Sequence, residues 1–203
     1  LLDSKADLLI YGMGEKPLLE IAQRLKNGEK ISKIRGVKGT CWRTSKTEDL
    51  PKISINQRGQ RCNPLFLPSY EEVCKNTNES KINFAKSFVL QEQNTDAINS
   101  HILIEKTDTR YIVQETPALP LTTEELDEVM MLPYTRMWHP DYDKQSSNGK
   151  VGVPALSEVQ FSLVSCRGCY GACSFCAITF HQGRRIQSRS HDSLIEEAKV
   201  LTN

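Results

Sequence analysis

Three cysteines lie close together in this sequence, and their spacing indicates metal chemistry. Cys169, Cys173 and Cys176 form the pattern C-x-x-x-C-x-x-C. Thiolates are the protein ligands of iron–sulfur clusters. Three thiolates at this spacing can hold three irons of a [4Fe–4S] cluster and leave the fourth iron without a protein ligand. The pattern therefore predicts an iron that is open to a small molecule.

The residues around these cysteines carry positive charge but no negative charge. Residues 159–191 contain no Asp or Glu, although the whole chain has a formal net charge of only +1. Cations near a thiol favour the thiolate, and guanidinium groups form paired hydrogen bonds with carboxylates and phosphates. We interpret the arginines as part of a cofactor site, with a solvated basic face as the alternative. The candidate cofactor-binding arginines are Arg184, Arg185 and Arg189.

Two alternative sites would use a fourth protein ligand. Cys166 and Cys169 form one C-x-x-C pair, and Cys173 and Cys176 form another. Structural zinc usually takes two well-separated pairs, and only three residues separate these, although His181 could supply a ligand. Cys166 could instead complete a four-cysteine electron-transfer cluster. An ordinary thiol is the third interpretation of Cys166.

Composition narrows the class of protein. The chain has seven cysteines, and this odd, clustered set does not indicate a secreted disulfide framework. Cys41, Cys62 and Cys74 show no ligand spacing, so we expect ordinary thiols. No apolar run approaches the roughly 18 residues of a membrane span, and the net charge does not indicate nucleic acid. We expect a cytoplasmic protein without a membrane partner.

The elements around the cysteines predict a strand, a loop and a helix. Residues 159–165 alternate apolar and polar side chains, as strands do. Ser190 is a candidate N-cap for a following helix, whose expected apolar stripe is Leu194, Ile195, Ala198 and Leu201. A ligand-bearing loop between strand and helix is one β/α unit with its chemistry at the carboxyl end of the strand, where α/β barrels have their active sites.

The preceding sequence predicts a mixture of strands and helices. An apolar strand at residues 6–11 leads through a glycine turn at 12–15 into an amphipathic helix, with Leu18, Ala22 and Leu25 on its apolar face and Ile21 beside them. Residues 27–68 predict a connecting segment with short strands. Residues 69–94 predict a helix, and the residues expected on its buried side are Tyr70, Val73, Ala85, Phe88 and Val89.

Two further elements and one loop follow. Strands on either side of residues 107–109 predict a hairpin. Thr122 and Glu125 have the spacing of a capping box that begins a helix, with Leu126 on its apolar face. Residues 139–150, which include Asn148 and Gly149, predict a loop.

Several segments resemble a known family. The cysteine loop resembles the signature of radical S-adenosylmethionine (SAM) enzymes, and the wider sequence is similar to the uncharacterised YgiQ family. The segments that carry this similarity are Ala118-Leu119-Pro120-Leu121-Thr122, Leu132-Pro133-Tyr134-Thr135-Arg136, residues 167–184 and Ile186-Gln187-Ser188-Arg189-Ser190. We expect this chain to be a fragment of a longer protein.

The resemblance implies an α/β fold in three parts. Residues 1–30 would be the last strand and helix of an N-terminal α/β domain of cobalamin-binding type. Residues 31–155 would be a connecting α+β region. Residues 156–203 would be the first β/α unit of a radical SAM barrel, including the cluster loop.

The resemblance also implies roles for individual residues. Cys169, Cys173 and Cys176 would hold the [4Fe–4S] cluster, and the backbone of Phe175 would lie near the SAM adenine. One electron from a donor such as flavodoxin or ferredoxin would cleave SAM to methionine and a 5′-deoxyadenosyl radical, which would act on an unknown substrate. Cobalamin is doubtful, because no residue is a convincing lower ligand. No catalytic residue beyond the cluster is expected, and the chain alone is expected to be inactive.

Overall fold

The computed structural model describes residues 1–56, 58–144, 146–147, 150–173 and 175–202. It is a mixed structure of helices and strands, and none of the sheets formed by these residues closes into a barrel. The chain divides into two compact units. The first comprises Leu1–Pro120 and Gly168–Arg185, and the second comprises Leu121–Arg167 and Ile186–Asn203.

A five-stranded sheet organises the first unit. Its spatial order is β1-β2-β7-β6-β5, and every pair is antiparallel except the parallel pair β5–β6. The strands are β1 (Leu8–Ile10), β2 (Thr40–Thr44), β5 (Leu65–Phe66), β6 (Leu103–Thr107) and β7 (Arg110–Gln114). A separate antiparallel pair consists of β3 (Ser54–Ile55) and β4 (Arg61–Cys62). Short 3₁₀ helices cover Ile31–Lys33 and Thr47–Asp49.

The predicted hairpin is confirmed. β6 and β7 pair from Leu103↔Gln114 to Thr107↔Arg110, so a two-residue turn connects them. Asp108 in this turn has a φ of 53°, which Asp tolerates better than most residues. The hairpin supplies Ile104 and Val113, which are fully buried with Trp42 of β2 in one hydrophobic cluster.

The first predicted strand and helix are also present, as β1 and α1 (Glu15–Lys26). The predicted apolar face is only partly correct. Ile21, predicted beside that face, is buried together with Pro17, four residues earlier, whereas the predicted face of Leu18, Ala22 and Leu25 is exposed. Pro17 and Ile21 lie on the inward side of α1, where Ile21 packs with Ile34 and Val37.

The predicted helix at 69–94 is two helices with a different buried side. α2 (Tyr70–Val73) and α3 (Asn78–Gln93) each begin with a capping box, on Ser69 and Thr77. Tyr70, Ala85, Phe88 and Val89 are exposed and Val73 is half-buried, so the predicted apolar side is wrong. The buried residues of α3 are Ser80 and Ser87. The Ser80 hydroxyl donates to the Thr77 carbonyl at 2.8 Å, and the Ser87 hydroxyl accepts a hydrogen bond from Gln91 Nε2 at 3.0 Å, so local bonds satisfy both. Val89 and Ile82 line an open groove of about 760 Å³.

Glu115, which directly follows β7, is a buried carboxyl group in the first unit. Its Oε1 accepts hydrogen bonds from Trp42 Nε1 at 2.8 Å and from the Gly36 N–H at 3.1 Å. The Arg35 guanidinium lies 4.3 Å from the Trp42 ring centroid. Burial raises the pKa of Glu115 above its usual range, against the opposing effect of these hydrogen bonds and of Arg35.

The second unit contains shorter elements. Its helices are α4 (Thr123–Met130), α5 (Leu156–Val159) and α7 (His191–Thr202), and a 3₁₀ helix covers Pro140–Lys144. Two antiparallel strand pairs are β8 (Ser146–Ser147) with β9 (Lys150–Val151) and β10 (Cys166–Arg167) with β11 (Gln187–Ser188). The capping box of Thr122 and Glu125 is present, and Leu126 is fully buried, so the α4 prediction is confirmed.

Two predictions for this unit are wrong in part. Residues 159–165 do not form the expected strand: α5 ends at Val159, and only Cys166–Arg167 pair with another strand. Side-chain alternation does not make a strand unless backbone groups find a partner. The predicted loop at 139–150 contains the 3₁₀ helix and β8 with the start of β9, while Asn148 and Gly149 lie outside the described residues.

A buried ionic network stabilises the second unit. The side chain of Arg189 is fully buried and pairs with Glu197, and it also bonds to the Ser193 carbonyl and hydroxyl at 3.1 and 2.7 Å. Arg136 Nη1 binds the other Glu197 oxygen at 2.6 Å. Although burial opposes ionisation, the hydrogen bonds from Arg189 and Arg136 outweigh it and lower the pKa of Glu197. The buried side of α7 is therefore Ser193 and Glu197, instead of the predicted apolar stripe, from which Ile195 is exposed.

Among the described residues, no helix combines the length and the apolarity that a membrane crossing requires.

We expect Glu115→Ala to destabilise the protein by about 1–3 kcal/mol, because it leaves the buried Trp42 N–H without an acceptor. Glu115→Gln keeps an acceptor and removes the ionisation. Since the folded state raises the pKa of Glu115 above its ordinary 4.5, ionisation costs stability as pH rises above that value. Glu115→Gln should therefore gain stability relative to the wild type as pH increases, measured by urea unfolding at several pH values. A constant difference across pH would contradict the buried, ionisable assignment.

We expect Arg189→Met to destabilise the protein by about 3–5 kcal/mol, because Glu197 keeps its charge in a buried position without its closest cation. The double variant Arg189→Met with Glu197→Leu should recover much of that loss, since it removes both of the most deeply buried charges. Arg136, which loses Glu197 as its partner, is 21% exposed and keeps contact with water. The lowered pKa of Glu197 means that its contribution is present above the ordinary value of 4.5 and is lost as pH falls below it. Chemical denaturation at neutral and acidic pH measures both effects, and a double variant as unstable as the single one would refute the network.

Candidate functional site

Two hydrogen bonds join the start of the cysteine loop to its end. The Cys169 N–H donates to the Gly183 carbonyl at 3.1 Å, and the Gly168 N–H donates to Gln182 Oε1 at 3.0 Å. Gly168 has a φ of +83°, and a Cβ at this position would lie 2.0 Å from the Arg185 carbonyl oxygen. Only glycine fits this position. Cys169, the next residue, therefore follows a point where two backbone segments pack closely together.

The three predicted ligands lie on one accessible loop. Cys173 is exposed, and Cys169 and Cys176 are half-buried. The Gly171 N–H lies 3.4 Å from Cys169 Sγ. A Cβ on Gly171 would lie 3.4 Å from that sulfur and 3.8 Å from Cys173 Sγ, so the two sulfurs flank the same glycine. The Cys176 N–H donates to the Cys173 carbonyl at 3.0 Å, which closes a turn between the second and third cysteines.

The donor set fits an iron–sulfur cluster in its chemistry. All seven cysteines are free thiols, and soft sulfur ligands are those that such clusters use. Within the described ranges, no group of three or more His, Cys, Asp or Glu side chains is arranged to hold a metal ion. The loop thus presents the three thiols without drawing them together, and Gly171 is where the first two come near each other.

The second arm of the cysteine loop, residues 178–185, packs on α3 of the same unit. This arm contains α6 (Ile178–Gln182), and the ring centroids of Phe180 and Phe88 are 6.1 Å apart. Arg184 forms an ion pair with Glu92, and Arg185 Nε lies 3.7 Å from Asp96 Oδ1. The ligand loop is therefore attached to a helix that lies about ninety residues earlier in the sequence.

The three candidate arginines have different surroundings. Arg184 and Arg185 are partly exposed, and each meets an acidic residue from the region of α3. Arg189 is completely buried in the second unit with Glu197. The acid-free sequence around the cysteines is thus compensated by acids from elsewhere in the chain: Arg184 and Arg185 meet acids of the first unit, and Arg189 meets an acid of the second unit.

The other candidates are placed as follows. Phe175 is 90% exposed. Cys166 is exposed in β10, and His181 is exposed in α6. Burial, with the charge of Glu115 second, raises the pKa of Cys41 to about 12, so this thiol is protonated at neutral pH.

The second unit has a cleft that sequence reasoning missed. It has a volume of about 550 Å³ and is lined mainly by aromatic and apolar side chains, among them Tyr134, Trp138 and Tyr142. The Trp138 ring lies against Gly152 so closely that a Cβ there would be 2.3 Å from it. The signal in the sequence was the density of aromatic residues between 134 and 142.

Comparison with known proteins identifies relatives over the whole chain. The model of the radical SAM N-terminal family matches residues 1–162. A UPF0313 protein of Clostridium botulinum (strain ATCC 19397 / Type A) is 44% identical over 201 residues, which cover 99% of this chain and 28% of the relative. A UPF0313 protein of Methanocella arvoryzae is 42% identical over 202 residues, which cover 100% of this chain and 30% of the relative.

This chain therefore spans less than a third of the length of the curated relatives that it matches. No solved structure matches it. The family match ends before the cysteine loop, whereas the relatives align across nearly the whole chain. Because one family model matches 162 of its residues, the chain belongs to the radical SAM N-terminal family.

Proposed function

We propose that this chain is part of a radical SAM enzyme in which Cys169, Cys173 and Cys176 bind a [4Fe–4S] cluster. The observation that carries the proposal is the set of three free thiols on one accessible loop, in a chain of this family. When bound, the cluster would supply the electron that cleaves SAM reductively.

The residues of this chain would bind and orient. The three thiolates would hold three irons, and the backbone of Phe175, an exposed residue, would lie near the SAM adenine. The Gly171 N–H, already directed at Cys169 Sγ, would stabilise negative charge on that sulfur. Because Arg184 and Arg185 already have acidic partners, we assign them to holding the loop rather than to binding SAM. The electron donor would be of the flavodoxin or ferredoxin class.

Replacing any one of Cys169, Cys173 or Cys176 by Ala in the full-length protein should abolish reductive SAM cleavage, because the cluster loses an iron ligand. Cys166→Ala is the matched control and should retain the cluster, since Cys166 lies outside the three-thiol loop. The measurement is anaerobic reconstitution with iron and sulfide, followed by electron paramagnetic resonance of the reduced cluster with and without SAM. A signal that ignores SAM, or one lost in Cys166→Ala, would favour a four-ligand electron-transfer site.

We expect Gly171→Ala to weaken cluster binding by roughly tenfold, the scale of changes next to metal ligands. Its added methyl group would be in van der Waals contact with Cys169 Sγ at 3.4 Å and Cys173 Sγ at 3.8 Å. It would therefore hinder the movement of these two sulfurs towards a cluster. Its φ is not positive, so Ala costs no backbone strain and the fold should be unchanged. Iron and sulfide content after reconstitution checks this, with circular dichroism as the control for folding. Wild-type iron content would show that the sulfurs do not converge beside Gly171.

A further inference from the structure

We infer that one face of α3 and its C-terminal extension positions the cysteine loop: Phe88, Glu92 and Asp96 are positioning residues for the proposed cluster. This inference rests on the proposed function for its consequence, but the contacts that carry it belong to the protein chain alone. The three residues are spaced four apart, so they follow one another along one side of the helix and past its end.

The first contact is aromatic. Phe88 and Phe180 lie with ring centroids 6.1 Å apart and planes inclined by 46°, within the range that aromatic pairs prefer. Phe180 lies in α6, a helix of five residues, which is too short to be stable without tertiary packing. The Phe88 ring therefore supplies packing that α6 cannot supply for itself.

The second contact is electrostatic. Arg184 pairs with Glu92, and Arg185 lies 3.7 Å from Asp96. A single exposed ion pair contributes little, but these two pairs engage consecutive residues of the arm. Together with the Phe180 contact, they hold the arm on both sides of Gly183, whose φ is +84°.

The glycine turn before α1 lies beside the arm. A Cβ added on Gly12 would lie 3.5 Å from the His181 carbonyl oxygen, so a side chain at this position would touch the arm. Gly12 has a φ of +70°, which favours glycine there. The arm thus packs on α3 and lies next to the turn between β1 and α1.

These contacts reach the first thiol through the backbone. The Gly183 carbonyl, which lies between the anchored residues Phe180 and Arg184, accepts the hydrogen bond from the Cys169 N–H. Metal ligands must be held within about 0.5 Å of their working positions. The loop is mostly exposed and has little core of its own, so the arm and α3 supply the constraint.

The experiment uses two measurements on the full-length protein. The first is hydrogen exchange by mass spectrometry on the metal-free protein, in peptides that cover residues 168–185. The second is the rate at which a chelator removes iron from the reconstituted protein. The first measurement does not depend on any cluster.

The variants form matched pairs. Phe88→Ala should accelerate exchange of the loop by roughly two- to tenfold, the scale of one aromatic pair, and should accelerate iron loss. Phe84→Ala, one turn earlier on α3 and 61% exposed, should change neither. Glu92→Arg should act like Phe88→Ala, because it opposes Arg184 with a like charge, and adding Arg184→Glu should restore both measurements.

The outcomes separate this inference from the proposed function. Unchanged exchange in Phe88→Ala and Glu92→Arg would overturn the anchoring. Faster exchange with unchanged iron loss would overturn the positioning role. If the wild type holds no iron while exchange still responds to the variants, the proposed function fails and α3 positions only the loop.

Discussion

A thiol that binds a metal cofactor must be accessible. An accessible segment lacks the apolar burial that holds most of a protein chain in place. In the cysteine loop Cys173 is exposed, and its neighbours Tyr170 and Phe175 project into solvent. Each ordered residue costs conformational entropy, which in the core is offset by apolar burial. Here the offset comes from a few backbone contacts. The closest is the crossing of Gly168 over the Arg185 carbonyl, where there is no space for a side chain.

The basic residues near the cysteines are balanced by acids from outside that stretch of the sequence. The only charged residues of the stretch are basic, and Arg184 meets Glu92, about ninety residues earlier, while Arg189 meets Glu197, eight residues later. The two pairs differ physically. The exposed pair at Arg184 is screened by water and contributes mainly orientation, whereas the buried pair at Arg189 must stay complete, because either charge alone would be costly.

Sequence patterns predicted the local features and missed the tertiary ones. The hairpin at Asp108 and the capping box at Thr122 were predictable because each depends on residues within a few positions. The buried sides of α3 and α7 were not, because the structure buries serines and a glutamate there. Hydrophobic periodicity assumes that the inward face is apolar, and Ser193 with Glu197 breaks that assumption by satisfying Arg189. The predicted strand at 159–165 failed for a related reason, since alternation carries no information about a partner strand.

The candidate site shows the same difference between local features, which the sequence predicts, and tertiary ones, which it does not. A motif of three cysteines is enough to propose the ligands, because the chemistry of iron–sulfur binding resides in residue type and local spacing. The residues that contact the loop have no such signature: Phe88 and Glu92 are ordinary members of a helix, and Gly12 is an ordinary turn glycine. Their role follows only from the fold, which brings residues about ninety positions apart into contact. Candidate ligands can therefore be proposed from the sequence, while the elements that pack on their loop are found only in the structure.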